Sequence, residues 1–308
     1  MEHTELSGVI VPIITPVDDQ DQVAETAFRQ VIRRLVEAGV HGLFVGGSAG
    51  EGPLLTAREW QRMMEIALDE AGGALPLLGG AIDTSTQRVK ERIKILADIG
   101  YKYFVVTPTF YTTLKTPDEH LRLFAECADG SRGMSMIAYN IPSCTNSDIP
   151  VEIVVELARR GLIKYCKESS GNLAYFKRLI AEAAPFGLKL FMGDEPGIAE
   201  GWRVGACGIV PVCGNLEPQT FIRSYQAAQK QDWEEVDCVQ ERIMVLREYL
   251  PLAAPNWIAG IKYALASLGI GTGKPVSPLE PLNADQKRKL DEFVRALPST
   301  VLQYAEQG

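Results

Sequence analysis

The stretch Leu162-Ile163-Lys164-Tyr165-Cys166-Lys167, followed by Glu168-Ser169-Ser170-Gly171, decides the fold of this chain. A short apolar run that gives way to polar, glycine-containing sequence predicts a buried strand that ends in a loop. Because side chains alternate along a strand, Ile163, Tyr165 and Lys167 are expected to point to the same side. A helix-like segment over about residues 173–184 and an apolar run at 188–192 complete one strand–helix–strand unit.

Lys167 is the residue of this stretch that carries chemistry. An ammonium among apolar neighbours loses hydration, which lowers the pKa of a lysine from about 10.4 towards neutrality. A neutral amine is a nucleophile that can form a Schiff base with a ketone. The alternative is an ordinary lysine at a strand end whose ammonium extends into water.

The same alternation of strand and helix continues on both sides of this unit. The predicted strands are residues 8–16, 42–45, 75–78, 103–107, 134–139, 162–167, 188–192 and 208–212. The helices after them begin near residues 25, 56, 85, 117, 150, 173, 196 and 218. Eight strand–helix units with short connections and near-continuous apolar strands predict a (β/α)₈ TIM barrel. An open doubly wound sheet is the competitor, but no Gly-rich dinucleotide-binding loop follows the first strand.

Two helix ends have specific signals. Gly39 stands where a helix C-cap belongs, and Thr56 with Glu59 three residues on forms a capping-box pattern. From about Trp233 only helical periodicity remains, with breaks near residues 251–255 and 269–281. We therefore expect a catalytic barrel over residues 1–230 and a C-terminal helical extension over residues 231–308.

Composition excludes several classes of protein. The chain has 308 residues with 46% hydrophobic and 23% charged side chains, which indicates a soluble protein with a sizeable core. A net charge of −8 and the lack of a basic cluster argue against nucleic acid and anionic membranes as partners. No apolar run reaches the roughly 18 residues of a membrane span. The first residues also lack the charged and apolar regions of a secretory signal.

Cysteine and histidine usage indicates a reduced compartment and no metal. The six cysteines are scattered without a CxxC pair, so a cytoplasmic location fits best. The three histidines, His3, His41 and His120, lack ligand spacing, so neither a zinc site nor a metal-dependent aldolase is expected.

Active sites of this fold lie at the carboxyl ends of the strands, and Tyr139 ends the strand before that of Lys167. A phenol there can donate to a developing alkoxide or pass a proton to and from a substrate. The alternative is a packing tyrosine with its hydroxyl in water. The pairing with a lysine on the neighbouring strand end favours the functional interpretation.

The second strand runs into the glycine-rich loop Gly46-Gly47-Ser48-Ala49-Gly50-Glu51-Gly52. Backbone N–H groups of this loop and the Ser48 hydroxyl can form a cradle for a carboxylate, although an ordinary tight turn is the alternative. The loop lacks the lysine of a phosphate-binding P-loop. After strand seven, Asp194 and Glu195 could bind hydroxyls of a polyol, or could cap the helix ahead of Pro196.

Three motifs, Gly47-Ser48-Ala49-Gly50-Glu51, Tyr139-Asn140-Ile141-Pro142 and Lys167-Glu168-Ser169-Ser170, occur in this order along the chain. With them the chain resembles the N-acetylneuraminate lyase / dihydrodipicolinate synthase superfamily over residues 8–221. The resemblance implies that Lys167 forms a Schiff base with pyruvate or a 2-oxo sugar acid, and that Tyr139 shuttles protons. It also implies that Gly47, Ser48 and Ala49 hold the carboxylate.

The same resemblance implies a homotetramer built from barrel dimers, with no metal or organic cofactor. Departures from the family pattern narrow the substrate. Ala49 replaces a second hydroxyl residue, so carboxylate binding depends more on backbone N–H groups. Cys144 stands where dihydrodipicolinate synthases have an arginine for the aspartate-semialdehyde carboxylate, so that activity is not expected.

A second departure concerns the relay tyrosine, which in the family crosses the dimer interface. Phe110 occupies its place and Tyr111 is adjacent, so either Tyr111 takes the role or the relay is absent. Asp194-Glu195 stands where sialic-acid lyases have an acidic pair, which favours a hydroxylated, sugar-acid-like partner. Val210 and Val212 resemble pocket lining, with core packing as the alternative.

The leading hypothesis is a class I aldolase or lyase that cleaves or forms a 2-oxo acid, with pyruvate as one partner and a keto-deoxy sugar acid as the substrate type. A dehydratase of 2-keto-3-deoxy sugar acids would use the same imine. A binding or regulatory homologue without a relay tyrosine is the third possibility.

Overall fold

The computed structural model describes residues 5–297, and it contains a closed barrel of eight parallel strands. The strands are β1 (Gly8–Pro12), β2 (Gly42–Val45), β3 (Leu77–Gly80), β4 (Tyr103–Val106), β5 (Ser135–Asn140), β6 (Tyr165–Glu168), β7 (Lys189–Met192) and β8 (Gly208–Ile209). Each strand pairs with its neighbour in sequence, and β8 closes the barrel on β1. The predicted (β/α)₈ architecture is confirmed.

Helices surround the barrel and continue beyond it. Those of the barrel are α1 (Glu25–Ala38), α2 (Ala57–Ala71), α3 (Thr86–Ile99), α4 (Pro117–Asp129), α5 (Pro142–Thr145), α6 (Val151–Arg159), α7 (Leu173–Ala183), α8 (Ile198–Arg203) and α9 (Pro218–Gln229). Those of the extension are α10 (Trp233–Leu246), α11 (Tyr249–Ala253), α12 (Trp257–Ala266) and α13 (Ala284–Ala296). In residues 5–297 no helix combines the length and apolar character needed to cross a bilayer.

Side chains of the strands pack in two layers. Tyr165 points into the barrel with Tyr139 and Phe191, whereas Cys166 packs between the strands and the helices. Ile163 also packs in the outer layer, so its predicted direction is wrong. The strict alternation of a strand does not apply to Ile163, because β6 begins only at Tyr165 and the chain leaving α6 bends before that residue. The N–H of Leu162 donates to the Leu157 carbonyl in that turn (2.9 Å).

Other strand boundaries also differ from the predictions. β1 ends at Pro12, four residues early, and β3 runs two residues later than predicted because Gly79 and Gly80 belong to it. A side chain at Gly80 would place Cβ 2.4 Å from the Gly46 carbonyl oxygen, so only glycine allows this approach. Apolar patterning does not detect such strand residues.

The two helix-end predictions have different outcomes. Gly39 ends α1 in the left-handed region (φ 82°), as predicted. Thr56 accepts a hydrogen bond from the N–H of Glu59 (3.3 Å), but the Glu59 carboxylate accepts from the N–H of Val23 instead of closing the box. The first hydrogen bond of the predicted capping box is therefore present and the second is absent, because the Glu59 carboxylate binds the N–H of Val23.

The extension is tied to the glycine-rich loop by a buried ion pair. Lys262 on α12 donates to the Glu51 carboxylate, and both side chains are almost fully buried. The same carboxylate accepts from the N–H of Val276 (2.8 Å). Glu51 itself has a left-handed backbone (φ 54°), which turns the chain out of the loop. The extension thus holds one side of the barrel mouth.

Candidate active site

A cavity of about 280 Å³ opens at the carboxyl ends of the strands. Eight of the predicted site residues line it: Ser48, Ala49, Tyr139, Lys167, Asp194, Glu195, Val210 and Val212. They come from the β2 loop and from the ends of four strands, which the closed barrel brings to one mouth.

Lys167 on β6 lines the cavity and is almost completely buried. It pairs in register with Tyr139 on β5 and Phe191 on β7, and only 6% of the residue is exposed. Its Nζ lies 3.9 Å from the ring centroid of Tyr139 and 5.0 Å from that of Phe44. Burial lowers the pKa of Lys167 to about 7, against a small opposing effect of Cys144 and Glu195. Within residues 5–297 no carboxylate forms an ion pair with this amine, so a large fraction is neutral at neutral pH.

Tyr139 presents its phenol to the same cavity. The side chain is buried, and the hydroxyls of Ser169 and Ser48 lie beside the phenol. Burial raises the pKa of Tyr139, and those two hydroxyls oppose the rise. The phenol therefore stays neutral at physiological pH and can donate a proton while it accepts another.

The glycine-rich loop forms the wall next to Tyr139. A side chain at Gly47 would place Cβ 2.6 Å from the Phe44 ring, which explains a glycine behind the cavity surface. Thr15 fixes the loop by donating to the Gly50 carbonyl (2.8 Å). Among residues 5–297, no partner accepts a hydrogen bond from the N–H of Ser48 or of Ala49. These donors are available to a carboxylate in the cavity.

The acidic pair after β7 lies in the cavity but differs in environment. Glu195 is buried, and its carboxylate accepts from the Cys213 N–H (2.7 Å) and from Arg247 Nη1 (2.8 Å). Asp194 is half-buried, and burial raises its pKa while Arg247 opposes the rise. Asp194 stands at the N-cap position of the 3₁₀ turn Glu195–Gly197, where the Gly197 N–H also opposes the rise in the pKa of its carboxyl without forming a regular capping hydrogen bond.

The remaining predicted residues lie in different places. Val210 and Val212 line the cavity. Val210 also packs in the inner layer of the barrel, so it serves both as pocket lining and as part of the core. Tyr111 is 85% exposed and does not line the cavity of its own chain. Phe110 packs against the inner layer and does not line this cavity. Cys144 is exposed, with its Sγ 3.7 Å from Ser48 Oγ.

Sequence reasoning missed the residues that the extension contributes. Arg247 at the end of α10, Leu250 on α11 and Trp257 at the start of α12 all line the cavity. The sequence around them is typical of an ordinary outer helix, because a basic residue near a helix C-terminus is common. No local signal shows that this helix end faces the barrel mouth.

Comparisons with known proteins agree with this arrangement. The model of the dihydrodipicolinate synthetase family matches residues 5–297. An uncharacterized DapA-like lyase of Halobacterium salinarum is 30% identical over 288 residues, which cover 93% of this chain and 92% of that protein. The 4-hydroxy-tetrahydrodipicolinate synthase of Methanopyrus kandleri is 30% identical over 296 residues, covering 95% and 97%.

A solved structure gives the same result. Dihydrodipicolinate synthase from Bacteroides thetaiotaomicron superposes with a TM-score of 0.90 at 26% identity, covering 96% of this chain and 100% of that one. Fold and relatives together define a lyase of the N-acetylneuraminate lyase / dihydrodipicolinate synthase superfamily, whose members perform aldol-type carbon–carbon chemistry. Within that class, this chain belongs to the dihydrodipicolinate synthetase family.

Proposed function

We propose that this protein is a Schiff-base-forming aldolase or lyase that cleaves or condenses a 2-oxo acid, with pyruvate as one partner. A keto-deoxy sugar acid is the proposed substrate type. The observation that carries the proposal is the buried Lys167, whose pKa of about 7 leaves a nucleophilic amine beside the Tyr139 phenol.

In the cleavage direction, the lone pair of Lys167 Nζ attacks the 2-oxo carbon, and loss of water gives a protonated imine. A proton leaves the C4 hydroxyl through Tyr139 as the C3–C4 bond breaks, and its electron pair moves into the imine. The products of this step are an aldehyde and an enamine. Protonation at C3 and hydrolysis then release pyruvate and regenerate the amine.

The polar groups around the lysine support these roles. Unpaired N–H groups of Ser48 and Ala49 would hold the carboxylate next to the 2-oxo carbon. The raised pKa of Tyr139 favours exchange of protons over accumulation of a phenolate. The hydroxyls of Ser48 and Ser169 beside it would take up or return the proton.

Borohydride trapping tests the imine. Pyruvate with borohydride is expected to add the mass of one reduced pyruvate to the intact chain. Lys167→Ala should abolish the adduct and turnover, whereas Lys164→Ala should retain both because Lys164 is exposed outside the cavity. An unmodified wild-type chain after treatment with pyruvate would contradict the proposal.

Product analysis on a panel of keto-deoxy acids identifies the reaction. Pyruvate plus an aldehyde indicates the lyase, and a dehydrated oxo acid indicates the dehydratase alternative. An imine without turnover of any panel member would favour a non-catalytic homologue. Synthesis of 4-hydroxy-tetrahydrodipicolinate, the activity named for the Methanopyrus kandleri relative, is not proposed because Cys144 cannot form a bidentate pair with a carboxylate.

We further propose a cytoplasmic homotetramer, a dimer of barrel dimers, that needs no metal or organic cofactor. Neither nucleic acid nor a membrane is a proposed partner. Tyr111 supports the assembly, since a tyrosine that is 85% exposed on the β4–α4 loop is free to enter a neighbouring subunit. In that arrangement Tyr111 would serve the relay of the partner's site.

A further inference from the structure

The lining of the cavity includes a cation that the proposed chemistry does not use. Arg247 follows α10 directly and lines the cavity together with Leu250 and Trp257 of the extension. Arg247 lies nearer to solvent than Lys167, because its side chain is 26% exposed whereas Lys167 is 6% exposed. A substrate joined to Lys167 as an imine and extended along this lining would meet Arg247 with its other end.

Arg247 is held in a fixed position by a buried carboxylate. Its Nη1 lies 2.8 Å from Glu195 Oε2, and Glu195 is 2% exposed. The other oxygen of Glu195 accepts from the Cys213 N–H (2.7 Å), and its main-chain carbonyl accepts from Gln240 (3.0 Å). Glu195 therefore anchors the arginine, and its oxygens are not free for substrate hydroxyls.

Most donors of the guanidinium remain available. An arginine has five N–H groups, and within the described part of the chain Glu195 is the one hydrogen-bond partner of this side chain. A guanidinium can bind more than one carboxylate on different edges. Arg29 of this protein does so, with Glu25 at 2.9 Å and Glu70 at 2.8 Å.

We propose that Arg247 binds a carboxylate at the end of the substrate remote from the imine carbon. The preferred substrate is then a dicarboxylic 2-oxo acid, and the aldehyde that it releases bears the second carboxylate. Recognition uses the two parallel N–H···O bonds that a guanidinium offers to a carboxylate. This inference rests on the proposed function and specifies its substrate class.

A matched pair of aldehydes tests the inference in the condensation direction with pyruvate. Succinic semialdehyde and butanal have equal carbon chains and differ in a terminal carboxylate. Wild-type protein is expected to favour succinic semialdehyde in kcat/KM. Arg247→Met should lower the ratio of the two kcat/KM values about 100-fold, mostly through KM, because the carboxylate loses its charged partner.

Arg242→Met is the control for this variant. Arg242 lies on the same helix α10, pairs with Glu217 at 2.6 Å and is 27% exposed against 26% for Arg247, but it lies outside the cavity. The control should leave the ratio unchanged. Arg247→Lys keeps the charge without the bidentate geometry, so it should retain an intermediate ratio.

The outcomes separate the two proposals. A wild-type preference for butanal, or an unchanged ratio in Arg247→Met with the pyruvate adduct intact, overturns the role of Arg247 and leaves the imine chemistry standing. Absence of the pyruvate adduct in the wild-type protein overturns the proposed function itself. Should Arg247→Met fail to fold, the wild-type ratio and Arg247→Lys still decide the question.

Discussion

At the scale of single residues, the environment of Lys167 determines its reactivity. Aromatic rings of Tyr139 and Phe44 surround the amine, and the nearest acidic groups are not paired with it. Desolvation therefore dominates over charge attraction, and the pKa falls to about 7. A directly paired carboxylate would favour the protonated amine and so oppose this shift in the pKa.

This pKa predicts the pH dependence of imine formation. Below about pH 7 the amine of Lys167 becomes protonated, so the rate of imine formation should fall about tenfold per pH unit. Above that pH the amine is already neutral, and the rate should level off. An ordinary lysine would instead gain rate up to about pH 10.4. Initial rates of cyanoborohydride trapping with excess pyruvate measure the profile, and a continuous rise through pH 9 would contradict the prediction.

At the scale of secondary-structure elements, the link between α12 and the β2 loop is the main feature. Burial raises the pKa of Glu51 and lowers that of Lys262, while their mutual attraction opposes both shifts. Each charge is therefore tolerated because the other is present. The link holds the loop that presents the Ser48 and Ala49 donors.

Lys262→Met should destabilise the protein by about 3–5 kcal/mol, because Glu51 is left as an uncompensated buried charge. Adding Glu51→Gln should recover most of this loss, since the amide still accepts from Val276 and needs no cation. Urea denaturation of the single and double variants measures the free energies of unfolding.

Lys94→Met is the control for this cycle. Lys94 pairs with Asp98 at 2.7 Å, but both side chains are exposed, so its loss should change stability little. Equal destabilisation by the two lysine variants would show that the buried Glu51–Lys262 pair contributes no more to the free energy of unfolding than an exposed pair.

The elements also show which structural signals the sequence contains. Strand–helix alternation predicted the barrel, because buried parallel strands need continuous apolar runs. It misplaced β3 and β6, since Gly80 belongs to β3 through close backbone approach, whereas Ile163 precedes β6 and packs in the outer layer. Such boundaries depend on neighbours distant in sequence. The Glu59 half of the predicted capping box is absent for the same reason, because its carboxylate accepts from the distant Val23 N–H.

At the scale of the whole molecule, the site combines distant parts of the chain. Lys167, Tyr139 and Ser48 could be predicted, because strand ends of a closed barrel converge and local motifs mark them. Arg247 and Trp257 could not, because the direction of a helix end depends on how the extension docks.

The tetramer proposal predicts that Tyr111→Phe and Lys167→Ala subunits complement each other. Tyr111→Phe should lower kcat about 10- to 100-fold, because the phenol that completes the relay is lost. Lys167→Ala should be inactive. In mixed assemblies, the intact lysine of one chain receives Tyr111 from the other, so co-refolded mixtures should regain activity. Light scattering should give four times the chain mass of 33.8 kDa.

Lys167→Ala refolded with itself is the control for the mixing. Full activity of Tyr111→Phe alone would show that the relay does not use this residue. A mixture that regains nothing despite forming tetramers would show that Tyr111 does not act between subunits.

The filled interior of the barrel has a consequence for the order of events in catalysis. Beneath Lys167 the space is closed by Tyr165, Phe191 and Tyr103 of the inner layer, so the cavity has no rear exit at this point. Both fragments of a cleaved substrate would therefore leave through the opening at the carboxyl ends of the strands. In the proposed reaction the aldehyde would lie nearer to this opening and leave first, and pyruvate, held as the enamine, would leave last. The proposal therefore predicts sequentially ordered steady-state kinetics, in which pyruvate is the last product released and, in the condensation direction, the first substrate bound.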